Sequence, residues 1–121
     1  MSKAAFSVKV FGAYLFVLGW VLLIFPNLLL AVFGIAPTGE VWIRVLGVVV
    51  VNLGVGYWCA ARCEARLFFV STIFTRVFAL LVFIALALLG IAAPTLILFG
   101  VFDTLGALWT WLALRSEPRS A

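Results

Sequence analysis

Histidine is absent from this chain, and acidic residues number only four. Without an imidazole there is no His-ligated haem, little scope for zinc chemistry, and no Ser-His-Asp or Cys-His set for nucleophilic catalysis. Cysteine is scarce as well. Cys59 and Cys63 are the only two, and no further ligands lie near them in sequence to complete a tetrahedral metal site. Their i, i+4 spacing sets both on one helical face, where they read as small apolar residues in a reducing compartment. Charge is thin overall: Asp, Glu, Lys and Arg make up 10% of the residues, against about a quarter in a soluble domain. No glycine-rich phosphate loop precedes a soluble helix. The alternation of polar and apolar residues that marks a barrel strand is missing too.

What fills the space is hydrocarbon. Apolar residues account for 68% of the 121 positions, and the mean hydropathy is +1.37. A chain this short has too little volume to hide that surface from water, so the surplus must face lipid. The expected fold is all-α, an integral membrane four-helix bundle forming a single transmembrane domain over 1–121. Spans are expected at about 8–25, 41–60, 67–89 and 94–114. Pro26-Asn27 ends the first, and 27–33, too short to cross again, is expected as a bent extension or an interfacial segment before Gly34. Thr38 is placed to cap the second helix, with Glu40 in its first turn. Lys3 and Lys9 precede an apolar run in the manner of a signal peptide. No small-x-small cleavage site follows, so the segment reads as a retained first helix.

The net charge of +4 is distributed by topology rather than gathered into a nucleic-acid surface. Lys3 and Lys9 lie before the first span, Arg62 and Arg66 between the second and third, and Arg115 and Arg119 after the fourth. Four crossings put these segments on one side, and the positive-inside rule makes that side, with both termini, cytoplasmic. Tyr57, Trp58, Trp109 and Trp111 are expected in an aromatic belt near those ends, with Trp42 near the other.

A few polar residues lie within the spans. Glu40 and Arg44, four apart, are expected as an outer interfacial pair. Arg76 lies ten residues after Arg66, Asp103 twelve before Arg115 and Asn52 ten before Arg62, so all three reach about 15–18 Å from the charged side. Charge at that depth costs about 2.5–3.5 kcal/mol on insertion scales. Mutual pairing of Arg76 with Asp103, beside Asn52, is therefore the expected solution, either as a register lock or as a seat for the head of a ligand. Thr72, Thr75, Arg76 and Ala79 form one stripe, and Gly100, Asp103, Ala107 and Thr110 a facing one. Gly12, Gly19, Gly47 and Gly54 recur at seven-residue spacing and are expected to let two helices approach closely. Trp20, too deep for a belt, and Tyr14 are candidate pocket walls.

The run Phe25-Pro26-Asn27-Leu28-Leu29-Leu30 leading to Phe33-Gly34, the opening Arg44-Val45-Leu46-Gly47, and Arg76 and Asp103 in the later helices give a layout that resembles the DoxX-like group of small bacterial four-helix membrane proteins. The resemblance implies a bacterial inner-membrane location, and some members are associated with quinone-linked or thiol-related oxidoreductase systems. Catalytic groups and a soluble domain are both lacking here. The leading expectation is therefore a non-catalytic accessory or scaffold subunit whose partners are membrane lipid and a larger membrane complex or further copies of itself. One alternative is a binder of a hydrophobic small molecule, quinone or lipid, at the mid-membrane polar centre. Another is a small oligomeric transporter or channel. No resident cofactor is expected.

Overall fold

Proline, glycine and one glutamate decide where the helices stop. In a computed structural model, which describes residues 2–116, the chain folds as α1 (Lys3–Ile24), α2 (Pro26–Val32), α3 (Trp42–Arg62), α4 (Arg66–Leu88), a 3-10 turn (Pro94–Leu96) and α5 (Ile97–Ser116), with no strand among those residues. Four stretches, Lys3–Ile24, Trp42–Arg62, Arg66–Leu88 and Pro94–Ser116, are long and apolar enough to cross a membrane. At about 1.5 Å per residue each matches a hydrocarbon core of about 30 Å. The first begins earlier than the hydropathy alone indicates, because Ser2 caps it: its Oγ accepts the Ala5 N–H at 3.0 Å. Segment 27–33 is a separate short helix, split from α1 at Phe25 and started by Pro26.

Three helices close with the same C-terminal hydrogen-bond pattern. Ile35 and Gly34 donate to Leu30 and Ala31, Ala65 and Glu64 to Ala60 and Ala61, and Ile91 and Gly90 to Leu86 and Ala87. Each closure needs one residue in the left-handed region, and Gly34 (φ 67°) and Gly90 (φ 72°) supply it at two of them. At the third stands Glu64 (φ 54°), which carries a steric cost glycine would avoid. Its side chain offsets that cost. The carboxylate accepts the Ser2 N–H at 2.7 Å and the Ser2 O–H at 2.6 Å, tying the start of α1 to the α3–α4 turn. These two donors hold the Glu64 carboxyl below its ordinary range.

Around the bundle the spans run α3, α1, α5, α4, with α1 packed on both α3 and α5 and α4 packed on α5. The α1–α3 contact is backbone against backbone. A Cβ on Gly19 would lie 2.5 Å from the Val51 nitrogen and 2.8 Å from the Gly47 oxygen. One on Gly54 would lie 2.7 Å from the Phe16 nitrogen and 2.8 Å from the Gly12 oxygen. On α5, Gly100 abuts Leu80 of α4 in the same way, at 2.8 Å from its Cα. Between α1 and α5, the buried Ser7 and Thr110 hydroxyls meet at 2.9 Å. Thr110 also donates to the Gly106 carbonyl at 3.1 Å, so both polar atoms are satisfied inside the protein.

One end collects the cations. Ser2 and Lys3 border a groove with Trp109 and Ser116, and Arg66 shares another with Arg115. Lys9 lies 4.5 Å from the Trp58 ring centre, and the Arg115 guanidinium 4.8 Å from that of Trp111. Arg119 lies outside the described residues. The most deeply buried side chains, among them Ala4, Ala5, Val8, Ala61 and Phe69, are at this same end.

Three expectations are corrected. Glu40 and Arg44 form no ion pair, because α3 starts only at Trp42 and Glu40 precedes the helix that would have put them on one face. Arg44 instead donates from Nη1 to the Leu23 carbonyl on α1. Thr38 does not cap α3 either. Its Oγ1 accepts the Glu40 N–H at 3.1 Å in a local turn, and its own N–H donates to Asn27 Oδ1 at 2.9 Å. Tyr57 is not a belt residue; it is 7% exposed and belongs to the core.

Gly19→Ile is expected to force α1 and α3 apart and cost about 1–3 kcal/mol or more, since the atoms in its way are backbone. Gly56→Ala, where a Cβ meets nothing within 4 Å, should cost no more than the loss of a helix glycine gives back. Thermal unfolding of the two variants in the same detergent tests the difference.

Candidate functional site

Side chains on a helix lean toward its N-terminus. Arg76 on α4 therefore reaches back toward the cationic end, where Thr72, one turn earlier, accepts from its Nη2 at 2.8 Å. Thr72 can do this because its own hydroxyl proton is donated to the Phe69 carbonyl, also at 2.8 Å. The guanidinium lies 4.4 Å from the Phe11 ring centre and 5.5 Å from that of Tyr57. Phe11 in turn packs on Tyr57 and Tyr14, with centroids 5.6 and 5.5 Å apart, and Tyr57 meets Phe68 edge-on at 5.1 Å. Three helices thus supply an aromatic cradle for one cation.

The fourth spanning helix makes room for it. A Cβ on Gly106 of α5 would lie 3.1 Å from Arg76 Nη1 and 2.9 Å from a Phe11 ring carbon. Glycine at 106 is what allows a guanidinium and a phenyl ring to fill the same gap. The result is a side chain only 3% exposed. Among the described residues its Nε and Nη1 have no well-formed hydrogen bond, although the Tyr57 side chain lies close enough to act on the guanidinium.

Asp103 does not complete the pair expected of it. It is half-buried on α5, close enough to act electrostatically on Arg76, Tyr57 and Tyr14. No ion pair forms, however, and neither free guanidinium nitrogen meets its carboxylate. The cause is helix direction. α4 and α5 are antiparallel, so Arg76 leans toward the cationic end while Asp103 leans the other way. Asp103 also starts about 3 Å deeper by residue count. The neighbouring Thr104 Oγ1 is buried and unpartnered, a second polar group on α5 without an acceptor or donor.

The other expected residues divide. Tyr14 does reach the cluster, through Phe11. Trp20 does not: it is 43% exposed and packs edge-on against Phe16 at 6.2 Å, on the outside of α1. Asn52 matches Arg76 in depth but not in direction. It sits two residues, about 200° of helix turn, from Gly54, which faces α1, and so it points outward beside Val49, Leu53 and Gly56. Thr75 is likewise exposed, while Thr72, Gly100, Ala107 and Thr110 are buried as their stripes require. Phe11, Tyr57 and Gly106 belong to the site without having been anticipated. Gly106 had a readable signal, one turn after Asp103, whereas the two rings looked like any membrane aromatic. Cys59 and Cys63 are free thiols on the surface, and among the described residues no group of His, Cys, Asp or Glu could hold a metal ion.

Chemically the centre is a donor-rich cation walled by aromatic faces, with a carboxylate nearby but not engaged. No family model, no curated protein and no solved structure matches this chain.

Thr72→Val should cost about 1.5–3 kcal/mol, the worth of a hydrogen bond to a charged group, because it removes the acceptor that Arg76 Nη2 meets at 2.8 Å. Thr72→Ser, which keeps the acceptor, should cost well under half of that in the same melting experiment.

Proposed function

We propose that this protein is a small non-catalytic membrane bundle that binds a hydrophobic molecule by its oxygen-bearing head at Arg76. The observation that carries this reading is the guanidinium itself, buried yet with Nε and Nη1 unpartnered. Leaving charged donors unsatisfied in a low-dielectric interior is costly, and a carbonyl or anionic oxygen placed against them removes the cost. Quinones and lipids share that chemistry. Tyr14, Tyr57 and Phe11 provide flat walls, and Asp103 offers an acceptor for a hydroxyl on the same head.

The accessory-subunit reading leans on the apolar exterior, which every membrane bundle has and which therefore discriminates little. A path through a single bundle is disfavoured by the buried Phe11, Tyr57 and Phe69, so an oligomeric channel would need its path between copies. The buried guanidinium favours the ligand reading over both. For orientation, the cation-rich end with Lys3, Arg62, Arg66 and Arg115 supports cytoplasmic termini, and the resemblance to the DoxX-like group supports a bacterial inner membrane. Cys63, exposed at that end, should then resist a membrane-impermeant thiol reagent in intact cells and react once they are opened. Equal labelling in both would reverse the orientation.

The ligand reading is tested by removing both charges together. Arg76→Met with Asp103→Leu should leave the bundle as stable as before or up to about 1–4 kcal/mol more stable, since apolar side chains replace buried ions. Native mass spectrometry of the wild-type chain in nanodiscs made from its source lipids should show a discrete bound mass that the double variant lacks. Adding a long-chain quinone or an anionic phospholipid separately to stripped protein then tells which head Arg76 accepts. Loss of folding in the double variant, with no bound mass in the wild type, would make Arg76 a purely structural group.

A further inference from the structure

Asn52 poses the opposite problem to Arg76. It lies near the middle of α3, about 15 Å from Arg62 by residue count, and its side chain faces outward. No hydrogen bond to its amide is formed within the described chain. Lipid tails supply neither donor nor acceptor at that depth, so an exposed amide there lacks the partners it has in water. The surface around it is shaped for close approach. Gly56, one turn on, has nothing within 4 Å of where a Cβ would be, and Val49, Leu53 and Phe68 of α4 border the same shallow depression. Continuing along α3, Cys59 falls at the edge of this face, where it also borders the groove against Ala13 and Phe16 of α1, and Cys63 caps the helix: at 100° per residue, Asn52, Gly56, Cys59 and Cys63 lie within about 60° of arc. All four are exposed.

We infer that this face of α3 is a homodimer interface, in which Asn52 hydrogen-bonds Asn52 of a second copy across a two-fold axis along the membrane normal. The amide's chemistry selects a second copy. It carries a donor and an acceptor in one planar group, so two identical amides at identical depth satisfy each other. Copies inserted with the same orientation present Asn52 at the same depth, and an isologous contact requires a self-complementary patch. Gly56 permits the backbones to come close enough for the amides to meet. Arg76 plays no part in this interface, so the inference stands apart from the ligand reading.

The native cysteines report on it. Cys59 lies two turns from Asn52 on the same face, so in a parallel pair it faces its own counterpart. Wild-type protein in phosphatidylethanolamine–phosphatidylglycerol vesicles, oxidised with copper phenanthroline, should form a disulfide-linked dimer that Cys59→Ser removes or sharply reduces. Sedimentation equilibrium in density-matched micelles gives the dissociation constant without cross-linking. Asn52→Leu should weaken dimerisation about tenfold, at the upper end for one interhelical hydrogen bond between membrane helices. Gly56→Leu should weaken it at least as much by holding the helices apart. Asn52 is exposed and a Cβ at position 56 meets nothing within 4 Å, so both monomers should keep their fold, Gly56→Leu being no less helical than wild type, which separates lost association from lost folding. Asn52→Gln, which keeps both donor and acceptor, should retain most of the dimer. The inference is overturned if Asn52→Leu and Gly56→Leu dimerise like wild type. It is equally overturned if the wild-type chain is monomeric in both experiments, including the case where it is recovered only with a different protein.

Discussion

Gly19 and Gly47 face each other across α1 and α3 so closely that a methyl group on either would come within 2.8 Å of the other's carbonyl oxygen. Gly12 and Gly54 repeat the contact two turns away. In lipid there is no hydrophobic drive to bring helices together, so packing at this range is a main source of association. The contact also sets azimuth. Once the glycine side of α3 is committed to α1, every other residue of α3 has its direction assigned. Tyr57, three residues after Gly54 and so on the same side, turns inward to the Arg76 guanidinium. Asn52 turns out.

The second constraint is the cost of a cation in hydrocarbon. Arg76 meets it with geometry available to a side chain that leans toward the cationic end: a hydroxyl one turn back, two aromatic faces, and the gap left by Gly106. Cation–π contacts spread a positive charge over ring faces but leave N–H groups in the guanidinium plane unsatisfied. A bidentate carboxylate would satisfy them, and Asp103 is not placed to do so. The site thus encloses the charge while leaving Nε and Nη1 without hydrogen-bond partners among the described residues.

Sequence reasoning reached the helices and fell short of the pairings, for one physical reason. Hydropathy and breakers act locally, so the four spans and the break at Pro26 were legible, with 27–33 read as a bent extension or an interfacial segment. So was the glycine contact, because its seven-residue period is a statement about one helix face. Position along each span follows from residue count times rise. Depth alone made Arg76, Asp103 and Asn52 look like one centre. What separates them is azimuth, set by which helices pack, and lean, set by chain direction. Neither can be read from a single span. Glu40 and Arg44 failed differently: the four-residue rule holds only inside a helix, and α3 begins after Glu40. Glu64 in a left-handed closure was invisible because its reason is Ser2, 62 residues away.

Arg76 and Asn52 both lie well inside their spans, and their chemistry differs in what could complete each. A guanidinium only donates. A second copy of the chain would bring another donor and another positive charge, so no symmetric pairing can complete Arg76. What would complete it is an acceptor, of the kind Thr72 already supplies to Nη2. A carboxamide donates and accepts, so a copy of itself suffices for Asn52. The bundle also keeps the two apart, with Arg76 enclosed by α1, α3, α4 and α5 and Asn52 on the outer side of α3. The proposed ligand at Arg76 and the proposed second copy at α3 would therefore not compete for the same surface.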